Sequence, residues 1–213
     1  NCVGVMGKGI ALEYKLRYPD MFDNYFKLCE RKLLKPGLLQ LWTKSNPWIL
    51  NFPTKFHWKY PSKLEYVELG LEKFHNIYLE KKISSIAFPL LGVSSGGLEQ
   101  NSVVDLMYKY FKPLKNIEIE IYHFDPEAED NLFDILYQKI HRFNIIDFKN
   151  YINIPTAQTK KIIDAIESKT IHTMLDLQNV DGIGEKTLVK IYDFLNSSDQ
   201  RIRTSKEVQL SLL

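Results

Sequence analysis

Three glycines bracket a lysine near the start of the chain, in Asn1-Cys2-Val3-Gly4-Val5-Met6-Gly7-Lys8-Gly9, and Ile10-Ala11-Leu12 opens an amphipathic helical run directly behind them. Such a stretch is suited to holding an anion. Glycine takes positive φ and lets the backbone approach a ligand closely, and the first turn of the helix presents unpaired N–H groups and the positive end of its dipole. A second glycine loop, Gly92-Val93-Ser94-Ser95-Gly96-Gly97-Leu98, follows an apolar strand-like run at residues 83–91. One such loop alone is also an ordinary glycine turn; two suit a diphosphate.

The elements that must position these loops read as follows. Helical periodicity over residues 10–28 breaks at Tyr18-Pro19-Asp20, where a proline at a helix start predicts a second helix. Strands are expected at 38–43, 48–52, 83–91 and 117–124, and helices at 62–81 behind a Pro61-Ser62 start, at 101–111 and at 126–141. Strands alternating with helices predict an α/β chain with a parallel or mixed sheet covered on both faces. In such a sheet a phosphate loop follows a strand, yet nothing precedes the first loop; one or two N-terminal strands are expected upstream of residue 1, leaving the core of this chain incomplete.

The 213 residues are 45 % hydrophobic and 13 % aromatic, ample for a packed core. No apolar stretch reaches the roughly 18 residues a membrane helix needs, and nothing reads as a signal peptide. Two cysteines, Cys2 and Cys29, make neither a disulfide framework nor a four-ligand zinc site, so a reducing, cytoplasmic setting is expected, in which the Asn196-Ser197-Ser198 sequon has no meaning. The net charge of +2 argues for no global basic field, but its distribution is uneven: residues 1–65 hold 11 Lys and Arg against 5 Asp and Glu, residues 66–143 hold 8 against 12, and residues 144–213 hold 9 against 9. A basic first third fits an anionic ligand there and equally fits solvated surface charge.

Three motifs, Asn1 through Ala11, then Asn51-Phe52-Pro53-Thr54-Lys55-Phe56-His57-Trp58, then Pro89-Leu90-Leu91-Gly92 through Gly96-Gly97-Leu98-Glu99, closely resemble the macrodomain branch that removes ADP-ribose from DNA. This is the DarG-type antitoxin branch, whose partner toxins ADP-ribosylate thymidine in single strands. The resemblance covers about residues 1–143 and implies a three-layer α/β/α fold with an ADP-ribose pocket, needing neither cofactor nor metal. It implies Gly7, Lys8, Gly9 and Ile10 as one wall; Gly92, Ser94, Ser95, Gly96, Gly97 and Leu98 as the other; Thr54 between them; and Asn1 at the terminal ribose. The family's adenine contacts fall upstream of residue 1. The implied activity is that of a bacterial glycohydrolase taking ADP-ribose off a thymidine-type linkage in single-stranded DNA, reversing a DarT-like toxin or repairing such lesions. Two other classes stay open: a non-catalytic reader of ADP-ribose or modified DNA, or contact antitoxin, and a phosphatase acting on ADP-ribose 1″-phosphate.

Lys55 is the catalytic candidate. Breaking a base–ribose bond passes through an oxocarbenium-like centre at C1″, where a positioned amine either attacks as a nucleophile or protonates the leaving base. His57 either orients substrate or packs structurally beside Trp58 and Tyr60. Two departures from the family stand out. Related hydrolases that act on glutamate carry an aspartate where this chain has Gly96, and the usual Gly-Cys-Gly-Leu loop opening is here Gly92-Val93-Ser94-Ser95.

Beyond residue 143 the chain reads as all helical. Leu177-Gln178-Asn179-Val180-Asp181-Gly182-Ile183-Gly184-Glu185-Lys186 resembles the helix-hairpin-helix motif of DNA repair proteins, which implies phosphate contact through Gly182, Ile183 and Gly184 with Lys186 as counter-charge. A protein-binding or purely structural helical hairpin is the alternative, since Leu188 is large for its place. The final Gln209-Leu210-Ser211-Leu212-Leu213 resembles the sliding-clamp-binding pentapeptide, implying Gln209, Leu210, Leu212 and Leu213 as clamp contacts. The domains read are therefore 1–143, a helical domain at 150–197 and a flexible tail at 198–213.

Overall fold

The computed structural model describes residues 1–143 and 145–196, so the clamp-like residues Gln209, Leu210, Leu212 and Leu213 lie outside the described residues. Two compact units divide the chain, Asn1–Asp125 and Pro126–Leu213. The first holds α1 (Gly9–Arg17), α2 (Pro19–Glu30), β1 (Gln40–Trp42), β2 (Ile49–Asn51), α3 (Leu64–Ile77), β3 (Ser85–Pro89), α4 (Gln100–Phe111) and β4 (Glu118–Tyr122). The second holds α5 (Asn131–Arg142), α6 (Ile145–Ile152), α7 (Thr156–Glu167), a 3₁₀ turn (Met174–Asn179) and a helix over residues 185–196.

Each expected strand and helix of the first unit is present, but the single sheet is not. β1 and β2 pair antiparallel, Leu41 opposite Leu50, while β3 and β4 pair parallel, Ile86 opposite Ile119, in a separate two-stranded sheet. The β1–β2 hairpin is covered on both faces. On one side Ile49 and Trp42 pack with Met21, Tyr25, Cys29 and Leu34 of the α2 cluster; on the other Leu41 and Leu50 pack against the cluster built from Val67, Leu71 and Phe74 of α3, Phe88 of β3, and Val103, Met107 and Phe111 of α4. A hairpin apolar on both faces reads like a strand of a buried sheet.

α2 begins with Pro19 in its first turn, where a missing N–H costs nothing. α3 starts at Leu64 rather than at Ser62, and its cap residue Lys63 makes no side-chain cap bond. Ser62 is buried and committed elsewhere, as described below. α4 is capped by the Glu99 carboxylate, which accepts from the amides of Asn101 (2.8 Å) and Ser102 (2.6 Å).

α5 falls in the second unit, whereas the sequence reading placed it in the first domain. Its cap Asp130 accepts from the amides of Leu132 and Phe133 at its own N-terminus and, through its other oxygen, from the amide of Met174 at 2.9 Å. The same helix lays Lys139 over the Phe194 ring at 4.9 Å. One carboxylate thus ties α5 to the 3₁₀ turn, a connection that helical periodicity does not carry. Among the described residues no helix is long and apolar enough to cross a membrane.

Candidate active site

The first glycine loop is clasped by its own asparagine. Asn1 Nδ2 donates to the Val5 carbonyl at 2.6 Å, Asn1 Oδ1 accepts from the Val3 amide at 3.1 Å, and the buried Tyr25 hydroxyl lies 3.0 Å from Oδ1 and 2.9 Å from the Asn1 carbonyl. Asn1 as it stands therefore shapes the loop with both ends of its amide. The loop then feeds α1, whose cap residue Lys8 offers no side chain to the helix start. Gly9 opens the helix at φ +56, and a Cβ there would meet nothing within 4 Å. Among the described residues the amides of Gly7, Lys8 and Gly9 meet no protein acceptor. An uncapped helix start with free amides and an exposed lysine is an anion-binding arrangement.

The second loop is closed differently. Gly92 at φ +74 lets its carbonyl accept from the Leu98 amide at 3.0 Å, and the Gly97 amide reaches the Val93 carbonyl at 2.8 Å. Leu98 thus spends its amide closing the loop and packs its side chain on the α3–α4 core. The amides of Ser94, Ser95 and Gly96 meet no protein acceptor among the described residues, so they form the free rim of the loop. Because Glu99 already caps α4, this loop has only its own turn amides to offer, whereas the first loop has a helix end. Gly96 is buried, and a Cβ on it would collide with the Gly92 carbonyl and the Ser62 Oγ. The aspartate found here in glutamate-acting relatives does not fit this loop.

Lys55 joins the two loops. Its Nζ donates to the Ser95 carbonyl at 2.6 Å, on the free rim of the second loop. Its own carbonyl lies 3.5 Å from the Cys2 Sγ, and the next carbonyl, of Phe56, accepts from the Cys2 amide at 2.9 Å, at the base of the first loop. The three motifs therefore converge on one residue. Thr54, beside it, accepts at Oγ1 from Ser62 Oγ at 3.2 Å, and the Ser62 amide donates to the Gly96 carbonyl at 2.8 Å. Ser62 thereby locks Thr54 and the second loop together; its small, polar side chain before a helix suggested only a cap. We expect Ser62→Ala to lower stability by about 1 kcal/mol, since it leaves Thr54 unpaired but keeps the backbone bond, and a shift of several degrees in Tm is the check.

His57 sits in a tight turn of its own. Its Nδ1 accepts from the Lys59 amide at 3.2 Å, its carbonyl accepts from the Tyr60 amide at 3.2 Å, and its ring stacks on Trp58 with centroids 5.6 Å apart. Of the two roles left open, these contacts describe the packed one.

Burial pushes the Cys2 thiol up to about 11 and raises Tyr25 and Cys29 as well; the Cys29 contact raises Tyr25 further, while the Gly4 backbone and the Tyr25 hydroxyl hold part of the Cys29 rise back. All three stay neutral at physiological pH, Tyr25 keeping the proton it donates to Asn1. For Cys2 the folded pKa lies above its ordinary value of 9.0, so its stabilising contribution is full below about pH 9 and is lost as pH rises through about 11. Melting curves from pH 8 to 11 should show Tm falling across that window.

The Macro domain family model matches residues 1–107. This chain belongs to the Macro domain family. Over 126 residues, 57 % of this chain and 36 % of the relative, the macrodomain is 44 % identical to a Mycobacterium tuberculosis protein named DNA ADP-ribosyl glycohydrolase. A Thermosipho africanus DNA ADP-ribosyl transferase and glycohydrolase fusion protein is 35 % identical over 141 residues. This chain spans little more than a third of the length of the curated relatives it matches. Among solved structures, the macrodomain of M. tuberculosis DarG superposes with a TM-score of 0.57 at 42 % identity, covering 59 % of this chain and 85 % of that one. Thermosipho africanus DarTG in complex with ADP-ribose gives 0.56 at 35 % identity, covering 62 % of this chain and 38 % of that one.

In the second unit, Gly182 takes φ +80 at the turn before the helix of residues 185–196. The Ile183 amide donates to the Val180 carbonyl at 3.0 Å and its side chain is buried, so in this state Ile183 holds the turn. Leu188 is buried too, which accounts for its size. Gln158 of α7 pins the turn by donating to the Gly182 carbonyl and accepting from Thr187 Oγ1, both at 2.9 Å. Gly182, Gly184 and Lys186 remain exposed, with the Lys161–Asp181 ion pair (2.6 Å) alongside.

Proposed function

We propose that this macrodomain chain is a glycohydrolase that removes ADP-ribose from modified DNA at a thymidine-type linkage. The observation that carries the reading is Lys55 Nζ on the Ser95 carbonyl, between a helix start and a loop rim whose amides are both free. The likeness to relatives named for that activity, at 44 % and 35 % identity, supports it. In this reading the amides of Gly7, Lys8 and Gly9 hold one side of the diphosphate and those of Ser94, Ser95 and Gly96 the other, with Ile10 and Thr54 beside the ligand. Lys55 then faces C1″ of the terminal ribose. As the C1″–N bond breaks, its amine either takes the carbon, its proton passing to the departing base and water later displacing the amine, or as an ammonium protonates the departing base while water bonds to C1″. The hydrogen bond to Ser95 needs only one N–H of Nζ and suits either route. Release of free ADP-ribose from a modified oligonucleotide tests the proposal; binding without release would make the chain a reader, and phosphate release from ADP-ribose 1″-phosphate would make it a phosphatase.

The second unit fits a helper in finding DNA, with the amide of Gly184 and the charge of Lys186 at one phosphate. Lys186→Glu should then weaken binding to DNA of any sequence and flatten its salt dependence by about one phosphate contact, while hydrolysis of a small substrate stays the same. Unchanged affinity in a salt titration returns the hairpin to a structural role. A DarT-like toxin as partner, and sliding-clamp capture through Gln209, Leu210, Leu212 and Leu213, belong to the same proposal. For the second, a peptide of residues 204–213 should bind the clamp weakly, and Leu210→Ala with Leu212→Ala should remove the contact.

A further inference from the structure

Directly after Lys55 the chain leaves three large rings in solvent. Phe56 is 53 % exposed, Trp58 49 % and Tyr60 67 %. Soluble surfaces carry single exposed aromatics freely, but three in five residues form a patch. It is a held patch. His57 stacks on Trp58 and lies 5.7 Å from the Tyr60 ring, and the His57 Nδ1 and carbonyl fix the turn by accepting from the Lys59 and Tyr60 amides. The Phe56 carbonyl is tied to the Cys2 amide, so the patch starts from a fixed point beside the candidate reacting centre. Lys59 Nζ lies 5.4 Å from the Trp58 ring, placing a cation over a stacking face.

The sequence that carries the patch is one-sided in charge. From residue 31 to residue 64 the chain has seven lysines and arginines and no aspartate or glutamate. Rings of fixed orientation set among cations, with no acid in 34 residues, match an unpaired nucleic-acid strand, which brings ring faces to stack and a phosphate backbone to neutralise. A duplex keeps its base faces stacked on each other and offers the rings nothing.

Resting on the DNA-directed reading above, we propose that Trp58 and Tyr60, with Lys59, form a stacking platform for the unpaired bases that flank the modified nucleotide in single-stranded DNA. The platform would make the enzyme prefer a modified nucleotide within a strand over the same nucleotide alone, and single strands over duplex.

The test uses the full chain and an unmodified oligothymidylate. Titration should quench tryptophan fluorescence, and Trp58→Phe, which keeps a ring, should remove most of the quenching while retaining most of the affinity. Trp58→Ala with Tyr60→Ala should weaken oligothymidylate binding, read by anisotropy of a labelled strand, by roughly ten- to a hundredfold. On substrates, the double variant should raise KM for a modified oligonucleotide and leave kcat/KM for the ADP-ribosylated nucleoside within about twofold. Equal strand affinity in wild type and double variant, or duplex bound as tightly as single strand, would overturn the platform. If the chain releases ADP-ribose from neither substrate yet shows Trp58-dependent strand binding, the glycohydrolase reading fails and the platform stands.

Discussion

Replacing Lys55 with alanine should reduce release of ADP-ribose by at least about two to four orders of magnitude, the usual worth of a positioned proton-transfer group, and more if the amine is the nucleophile. Binding of ADP-ribose should change far less, because the phosphate contacts come from backbone amides that the substitution leaves alone. One indirect effect has to be separated. Lys55 Nζ also holds the Ser95 carbonyl at 2.6 Å, so its loss loosens the rim of the second loop. Lys55→Arg retains a donor for that carbonyl but has no amine to attack C1″ and no readily transferred proton. It should keep affinity and still fail to turn over. Wild-type rates in Lys55→Ala would remove Lys55 from the chemistry.

Gly9→Glu should do the reverse, abolishing binding without harming the chemistry of whatever still binds. A Cβ at Gly9 meets nothing within 4 Å, so the first side-chain atom has room, and the backbone penalty at φ +56 is about 1–2 kcal/mol. An acid in the first turn of α1 offsets part of that through the helix dipole, by about 0.3–1 kcal/mol. Against a bound diphosphate the sign reverses. Two like charges near 4 Å repel by about 4 kcal/mol at the effective dielectric of a protein surface, close to a thousandfold in affinity. Gly9→Ala carries the backbone strain without the charge and should lose only a small part of this. Calorimetry with ADP-ribose resolves the two variants, and unchanged affinity in Gly9→Glu would contradict the placement of the first loop at the phosphates.

The backbone shape of the candidate site was legible in part because it sits in residue types rather than contacts. Gly9, Gly92 and Gly97 do take positive φ, and Lys55, the lysine singled out by the middle motif, places its amine on the second loop. What stayed hidden depends on long-range geometry. Ser62 looks like a helix cap in sequence but bonds 8 and 34 residues away, to Thr54 and Gly96. Tyr25 looks like one more apolar position of α2, yet its hydroxyl reaches Asn1, 24 residues back. Glu99 was read as the end of a loop motif and proves to be the cap that takes α4 out of phosphate binding.

The fold divides in the same way. Helices α1 to α4 were readable from periodicity and from Pro19, because local rules decide them. The split into two small sheets was not, since an apolar run reports that both faces of a strand are covered and cannot name the strand it pairs with. The placement of α5 with the second unit turns on one carboxylate, Asp130, bonding an amide 44 residues later.

In the proposed function, a lysine held between two loops with free amides releases ADP-ribose from DNA. The most direct test is incubation of the chain with a single-stranded oligonucleotide bearing ADP-ribose on one thymidine, with both products identified by mass. Wild type should give free ADP-ribose and an unmodified strand, and Lys55→Ala an intact substrate, still bound. A substrate left intact by the wild-type chain, or released equally fast by both proteins, would contradict that proposal.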